Sequence, residues 1–183
     1  MNNYGKTPIF TALLSDKQSV EKLQLLISYG AKLDVKDKYG DSLLHVACKY
    51  GCVETVKLLL NTGRVDIESR DDNETPIFTA IRSDKQPIKK LELLISYGAK
   101  LDVKDKDGNS LLHLACEDGC VETVEWLLNT GRVDIESKNN DGSTPILVAI
   151  RSYKQPVEKM RVLANFGANL DVKFSNRNAG YWY

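Results

Sequence analysis

The side chains best suited to chemistry come as two copies of one constellation. His45-x-x-Cys48-x-x-x-Cys52 recurs as His113-x-x-Cys116-x-x-x-Cys120. Imidazole and thiolate both bind zinc, but a tetrahedral site needs four donors and each cluster offers three. The alternative is that the thiols are small buried packing groups, and that is the expectation here: no metal and four reduced cysteines. Catalysis finds no better footing. The two histidines occupy one position of a duplicated text, and no Ser–His–acid or Cys–His arrangement is spelled out. The glycines fall at caps and turns rather than in a phosphate-binding loop. Asp71-Asp72 reads as a solvated turn. The expectations are therefore no catalytic residue, no cofactor and no enzyme.

What positions these side chains is repetition. Residues 41–69 and 109–137 are offset by 68 and identical at 23 of 29 positions. The segments between them match at the same offset, and a drifted third copy begins at Thr144. Five shorter units follow, opening at Thr7, Ser42, Thr75, Ser110 and Thr144, with spacings of 35, 33, 35 and 34. Such a period belongs to stacked helical arrays. Within each unit, apolar residues recur at helical spacing in two short segments, for example Ile9, Ala12 and Leu13, then Val20, Leu23, Leu26 and Ile27. Thr-Pro or Ser-Leu opens the first helix, the hydroxyl accepting from an N–H of the first turn and Pro suiting the first position. Gly30 and its equivalents close the second helix, because glycine tolerates the left-handed cap. Helices this short need neighbours to be stable.

The opening Thr-Pro-Ile or Ser-Leu-Leu-His, the alanine of the first helix (Ala12, Ala47, Ala80, Ala115, Ala149) and the closing Gly-Ala-x-Leu-Asp-Val or Gly-Arg-Val-Asp-Ile are similar to the ankyrin repeat. The resemblance covers nearly the whole chain. It implies an all-α solenoid of stacked helix-turn-helix repeats with projecting hairpin or loop fingers. It places the histidines beside the capping hydroxyls, steadying the stack. The expected organisation is one domain over residues 1–173, with repeats at about 2–36, 37–69, 70–104, 105–138 and 139–173, and a tail over 174–183. Neither end carries an obvious capping repeat, so the array reads as truncated or degenerate, or as covered by the aromatic tail.

The resemblance also implies a function: binding a protein partner through a concave groove and the finger tips, as a scaffold, adaptor or inhibitor. The alternatives are the recognition arm of a larger enzyme or channel, and a stand-alone inhibitor of an enzyme such as a kinase. The groove positions are those where the copies diverge, Lys49 becoming Glu117, Tyr50 becoming Asp118 and Asp41 becoming Asn109. A basic-aromatic spot thereby gives way to an acidic one, which would orient a partner. The candidate partner-binding residues are Lys38, Tyr39, Asp41, Asp72, Glu74, Lys106, Asp107, Asn109 and Asp141 near the fingers. Lys49, Tyr50, Arg82, Glu117, Asp118 and Arg151 join them from the first-helix ends.

Charge and composition narrow the partner. With 25 basic and 25 acidic residues among 183, the net charge is zero, and there is no electrostatic case for nucleic acid. The start MNNYGKTPIF lacks the form of a signal peptide, and no apolar run approaches a membrane span. A soluble, cytoplasmic monomer is the expectation. One feature is unaccounted for: repeats one, three and five carry two extra residues between their helices, in SDKQS, SDKQP and SYKQP. They read either as a tolerated surface insertion or as a lysine-bearing ridge at Lys17, Lys85 and Lys154, on the edge away from the groove.

Overall fold

A computed structural model describes residues 7–15, 18–71 and 74–172. The expected tail over 174–183 lies outside them, as do Lys17 and Asp72. The protein is all-α. Its described residues form ten helices: α1 (Pro8–Leu13), α2 (Ser19–Ser28), α3 (Leu43–Tyr50), α4 (Val53–Asn61), α5 (Pro76–Ile81), α6 (Pro87–Ser96), α7 (Leu111–Glu117), α8 (Val121–Asn129), α9 (Pro145–Arg151) and α10 (Pro156–Asn165). Each consecutive pair is one repeat. The chain divides into two compact units, Met1–Lys100 and Leu101–Tyr183.

In the N-terminal unit α3 packs on α1, α4 and α5, while α4 lies between α2 and α6. In the C-terminal unit α7 packs on α8 and α9, and α10 packs on α8 and α9. First helices are the most deeply buried elements. Every residue from Leu43 to Cys48, and from Leu111 to Cys116, is buried. Second helices bury one stripe, such as Val56, Leu59 and Leu60 in α4 or Leu91 and Leu94 in α6. Each fully buried leucine contributes about 1.5–3 kcal/mol, which is how helices of 6–10 residues persist.

The helix starts separate into two kinds. Ser42 accepts from His45 N–H at 3.4 Å while His45 Nδ1 accepts from Ser42 N–H at 3.2 Å, a capping box in which histidine does the work of glutamate. Ser110 and His113 repeat it. The threonine starts differ from expectation: the side chains of Thr7, Thr75 and Thr144 accept no capping N–H, and their buried hydroxyls have no partner. Proline at the first position already removes one unsatisfied donor and presets the turn, so the helix starts without the hydroxyl.

The fingers between repeats are tight turns rather than strands. Isolated antiparallel bridges join Lys36 to Ser42, Asp71 to Glu74 and Lys104 to Ser110. In the first finger Asp37 Oδ1 accepts from Tyr39 N–H at 2.8 Å and Asp41 N–H at 3.1 Å, an Asx turn that Gly40 completes at φ 89°.

Candidate interaction surface

The histidines hold the finger bases. Because Ser42 N–H donates to His45 Nδ1, the ring proton sits on Nε2, which donates to the Glu74 carbonyl at 3.1 Å. His113 Nε2 reaches the Ser143 carbonyl in the same way at 2.9 Å. Burial lowers both imidazole pKa values, so these rings are neutral struts between one repeat and the next finger. The Cys thiols take no part. Cys48 and Cys116 are fully buried, and burial pushes each thiol up to about 12. Cys52 and Cys120 stand at the starts of α4 and α8, with Sγ 3.2 Å from the hydroxyls of Thr55 and Thr123.

Two buried lysines join the repeats from the other side. Lys90 Nζ donates to the Cys48 carbonyl at 2.9 Å and to Ser83 Oγ at 2.7 Å, with the side chain wholly buried. Lys159 does the same to the Cys116 carbonyl at 2.8 Å and Ser152 Oγ at 3.1 Å. Around Lys159 the long loop of repeat five completes a clamp. Ser152 Oγ donates to the Glu117 carbonyl, Lys154 Nζ donates to the Asp118 carbonyl, and Gln155 Oε1 accepts from Val121 N–H. Three orphan carbonyls at the end of α7 and one orphan N–H at the start of α8 are thus satisfied from the following repeat. In repeat five the extra residues are neither idle insertion nor a separate ridge: Tyr153 and Lys154 border the same cleft as Glu117 and Asp118.

The clamp fixes the backbone beneath that cleft, a cavity of about 530 Å³ in the C-terminal unit. It gathers six candidate residues, Asp107, Asn109, Glu117, Asp118, Asp141 and Arg151, with Lys106 outside its lining. Four carboxylates there face two basic side chains, Arg151 and Lys154, so the cleft is acidic. In the N-terminal unit the candidates separate. Lys49 and Tyr50 line a smaller cavity of about 330 Å³ with Leu13, Leu14, Asp84 and Lys85. Lys49 Nζ stacks 5.3 Å from the Tyr50 ring, and Lys38 Nζ sits 4.7 Å from the Tyr39 ring at the first finger tip. Arg82 pairs with Glu74. Asp41 lies half-buried beside Asp71: burial, then a hydrogen bond and the charge of Asp71, push its carboxyl up to about 7. Asp71 is accordingly part of the finger base and not merely a solvated turn. Among the described residues, the set of Asp41, His45 and Asp71 brings three potential metal ligands within 4.8 Å of one another, but His45 Nε2 carries its proton toward Glu74.

Ser152 and Tyr153 were missing from the sequence-derived surface, as were the buried lysines, and Lys154 was expected on the edge away from the groove. The one available signal was that Ser and Lys recur seven residues apart in all three odd repeats, as Ser15 and Lys22, Ser83 and Lys90, Ser152 and Lys159.

Ten short helices in pairs, with histidine struts and glycine-ended second helices, define a repeat protein built for presenting a surface. The family model for ankyrin repeats (3 copies) matches residues 11–105 and 86–174, and the chain belongs to that family. Its relatives include an I-kappa-B-like protein C2 of Microplitis demolitor bracovirus, 32% identical over 142 residues, covering 73% of this chain and 76% of that protein. The mouse B-cell lymphoma 3 protein homolog is 32% identical over 81% of this chain and 33% of its own length. The chicken nuclear factor NF-kappa-B p105 subunit is 29% identical over 81% of this chain and 15% of its own length. The chain thus spans a third or less of these last two proteins. No described helix is long and apolar enough to cross a membrane.

Proposed function

We propose that this chain is a cytoplasmic, monomeric, non-enzymatic module, one repeat domain over residues 1–173, that binds a protein partner through the acidic cleft of its C-terminal unit and the neighbouring finger turns. The observation that carries the reading is the gathering of six of the candidate residues around one cavity whose floor is pinned by the Lys159 clamp. A cleft with four carboxylates suits a partner surface bearing lysine or arginine, and such complementarity sets orientation and on-rate.

The copies supply the test. Exchanging Glu117 and Asp118 for the Lys and Tyr of the sister repeat reverses the charge at positions where that repeat already carries both residues, so the thermal midpoint should barely move. A partner captured by the wild-type chain and lost by E117K/D118Y supports the cleft. Equal capture by both directs binding to another surface, and the reciprocal K49E/Y50D exchange then tests the smaller cavity.

A second reading, a stand-alone regulator, is favoured by the share of the bracovirus I-kappa-B-like protein that this chain covers. Mixing the purified chain with NF-kappa-B subunits and finding no complex by size-exclusion chromatography would remove it.

A further inference from the structure

The finger bases of the two units share one scaffold and differ in one chemical respect. In the C-terminal unit Asn139 Nδ2 donates to Asn109 Oδ1 at 2.9 Å, tying the finger of repeat five to that of repeat four. The residues 68 positions earlier are Asp71 and Asp41. Two amides make this bond because one brings an N–H. Asp41 and Asp71 present carboxylate oxygens within 4.8 Å of each other; two carboxylates have no donor, and so placed they repel, unless a proton lies between them.

We propose that Asp41 and Asp71 share one proton in the folded protein, as an acid–carboxylate clasp that ties the first finger to the second and loosens when the proton leaves.

The surroundings leave that proton as the neutralising species. His45, from α3, stands with Nε2 3.6 Å from Asp71 Oδ1, but its N–H is directed to the Glu74 carbonyl and burial keeps the ring neutral. Lys36, on the first finger, directs its ammonium to the Arg70 carbonyl at 2.8 Å. Glu74, from the second finger, is paired with Arg82 beyond α5. Asp37, in the same turn as Asp41, adds a further negative charge, which favours protonation. A divalent cation is the rival occupant, but with its proton in place His45 Nε2 has no lone pair to offer one. The high carboxyl pKa of Asp41 agrees with this arrangement.

The sign of the pH effect follows. An acid whose pKa is higher in the folded state than in the unfolded chain contributes stability at low pH, and that contribution is lost as pH rises through the folded value of about 7. The clasp therefore weakens across the neutral range, at the base of fingers that belong to the proposed binding surface.

The test compares the wild-type chain with D41N, D71N and D41N/D71N, the last recreating the amide pair of the sister repeats. Carboxyl-carbon NMR should show one aspartate titrating near neutrality in the wild type. In D71N the remaining Asp41 should titrate lower by more than about one pH unit, because the like charge is gone and an amide donor has replaced it. The urea midpoint of the wild type should fall between about pH 5 and about pH 8, and the fall should be absent from D41N/D71N. Both aspartates titrating in the ordinary range near about 3.9 would overturn the clasp. So would an equal pH slope in the double variant. Stabilisation of the wild type by calcium, magnesium or zinc at about pH 8, absent in the double variant, would show a cation in place of the proton. None of these readouts uses a partner, so they succeed or fail apart from the binding proposal.

Discussion

Replacing Lys90 by methionine keeps the unbranched stem and removes the ammonium that joins repeat three to repeat two. Burial holds the Lys90 amine down to about 8 from its ordinary 10.5. At 1.36 kcal/mol per unit, that disfavours the charged form in the folded protein by about 3 kcal/mol. The side chain is wholly buried, so solvent screening does not reduce the figure. Against it stand two hydrogen bonds, at 2.9 and 2.7 Å, whose loss leaves the Cys48 carbonyl without this donor and costs about 1–3 kcal/mol. The two effects oppose and are of similar size, so K90M should lie within about 2 kcal/mol of the wild type at neutral pH. K90A also empties the space of the stem and should cost about 2–4 kcal/mol more. The decisive measurement is the pH profile of urea unfolding, read by circular dichroism. Between about pH 8 and 10.5 the folded wild type has released a proton that the unfolded chain still holds, so its stability should rise by up to about 3 kcal/mol relative to K90M. Tyrosines and thiols titrate in both proteins and largely cancel in the difference. Parallel profiles, or a loss well beyond about 3 kcal/mol in K90M at neutral pH, would refute the account of a desolvated ammonium.

Two further outcomes are expected. Gln86 holds φ at 49°, a left-handed conformation that a non-glycine residue adopts at a cost, so Gln86→Gly should raise the denaturation midpoint by about 0.5 kcal/mol equivalent. Gln155→Gly should gain less or lose, because Gln155 Oε1 accepts from Val121 N–H, and equal gains at both sites would count against that bond. Thiol reagents should label two cysteines in the native chain, Cys52 and Cys120, and all four after unfolding, since Cys48 and Cys116 are fully buried. Four equally fast thiols in the native protein would contradict the packing described.

The five repeats and their helix starts and ends were legible because they are local. A Ser-Leu-Leu-His start, a Pro at the first helical position and a Gly at the end each act within a turn of where they stand. What escaped is contact across repeats. Lys90 reads as one more polar helix residue, because lysine is almost always exposed; its acceptor lies 42 residues earlier, and the Ser–Lys spacing of seven is the only local mark of it. Thr55 and Thr123, buried at the equivalent register of the even repeats, mask the pattern further. Asp71 escaped for the same reason, since its likeness to Asn139 becomes informative only once Asn109 is seen accepting that amide. The threonine caps were over-read: Thr-Pro and Ser-Leu look interchangeable as helix starts, but only the serine hydroxyls accept a cap.

The buried lysines also define what can be exchanged. Lys90 and Lys159 each reach back to an even repeat, whose first helix offers the Cys48 or Cys116 carbonyl in its last turn. Removing one even repeat would set an odd repeat against another odd one, and a buried ammonium against a surface that did not evolve beside it. Removing or adding 68 residues returns the same neighbour to each lysine. The chain can therefore be lengthened or shortened by recombination in steps of two repeats, and the near-identity of its two long copies is the record that such a step leaves.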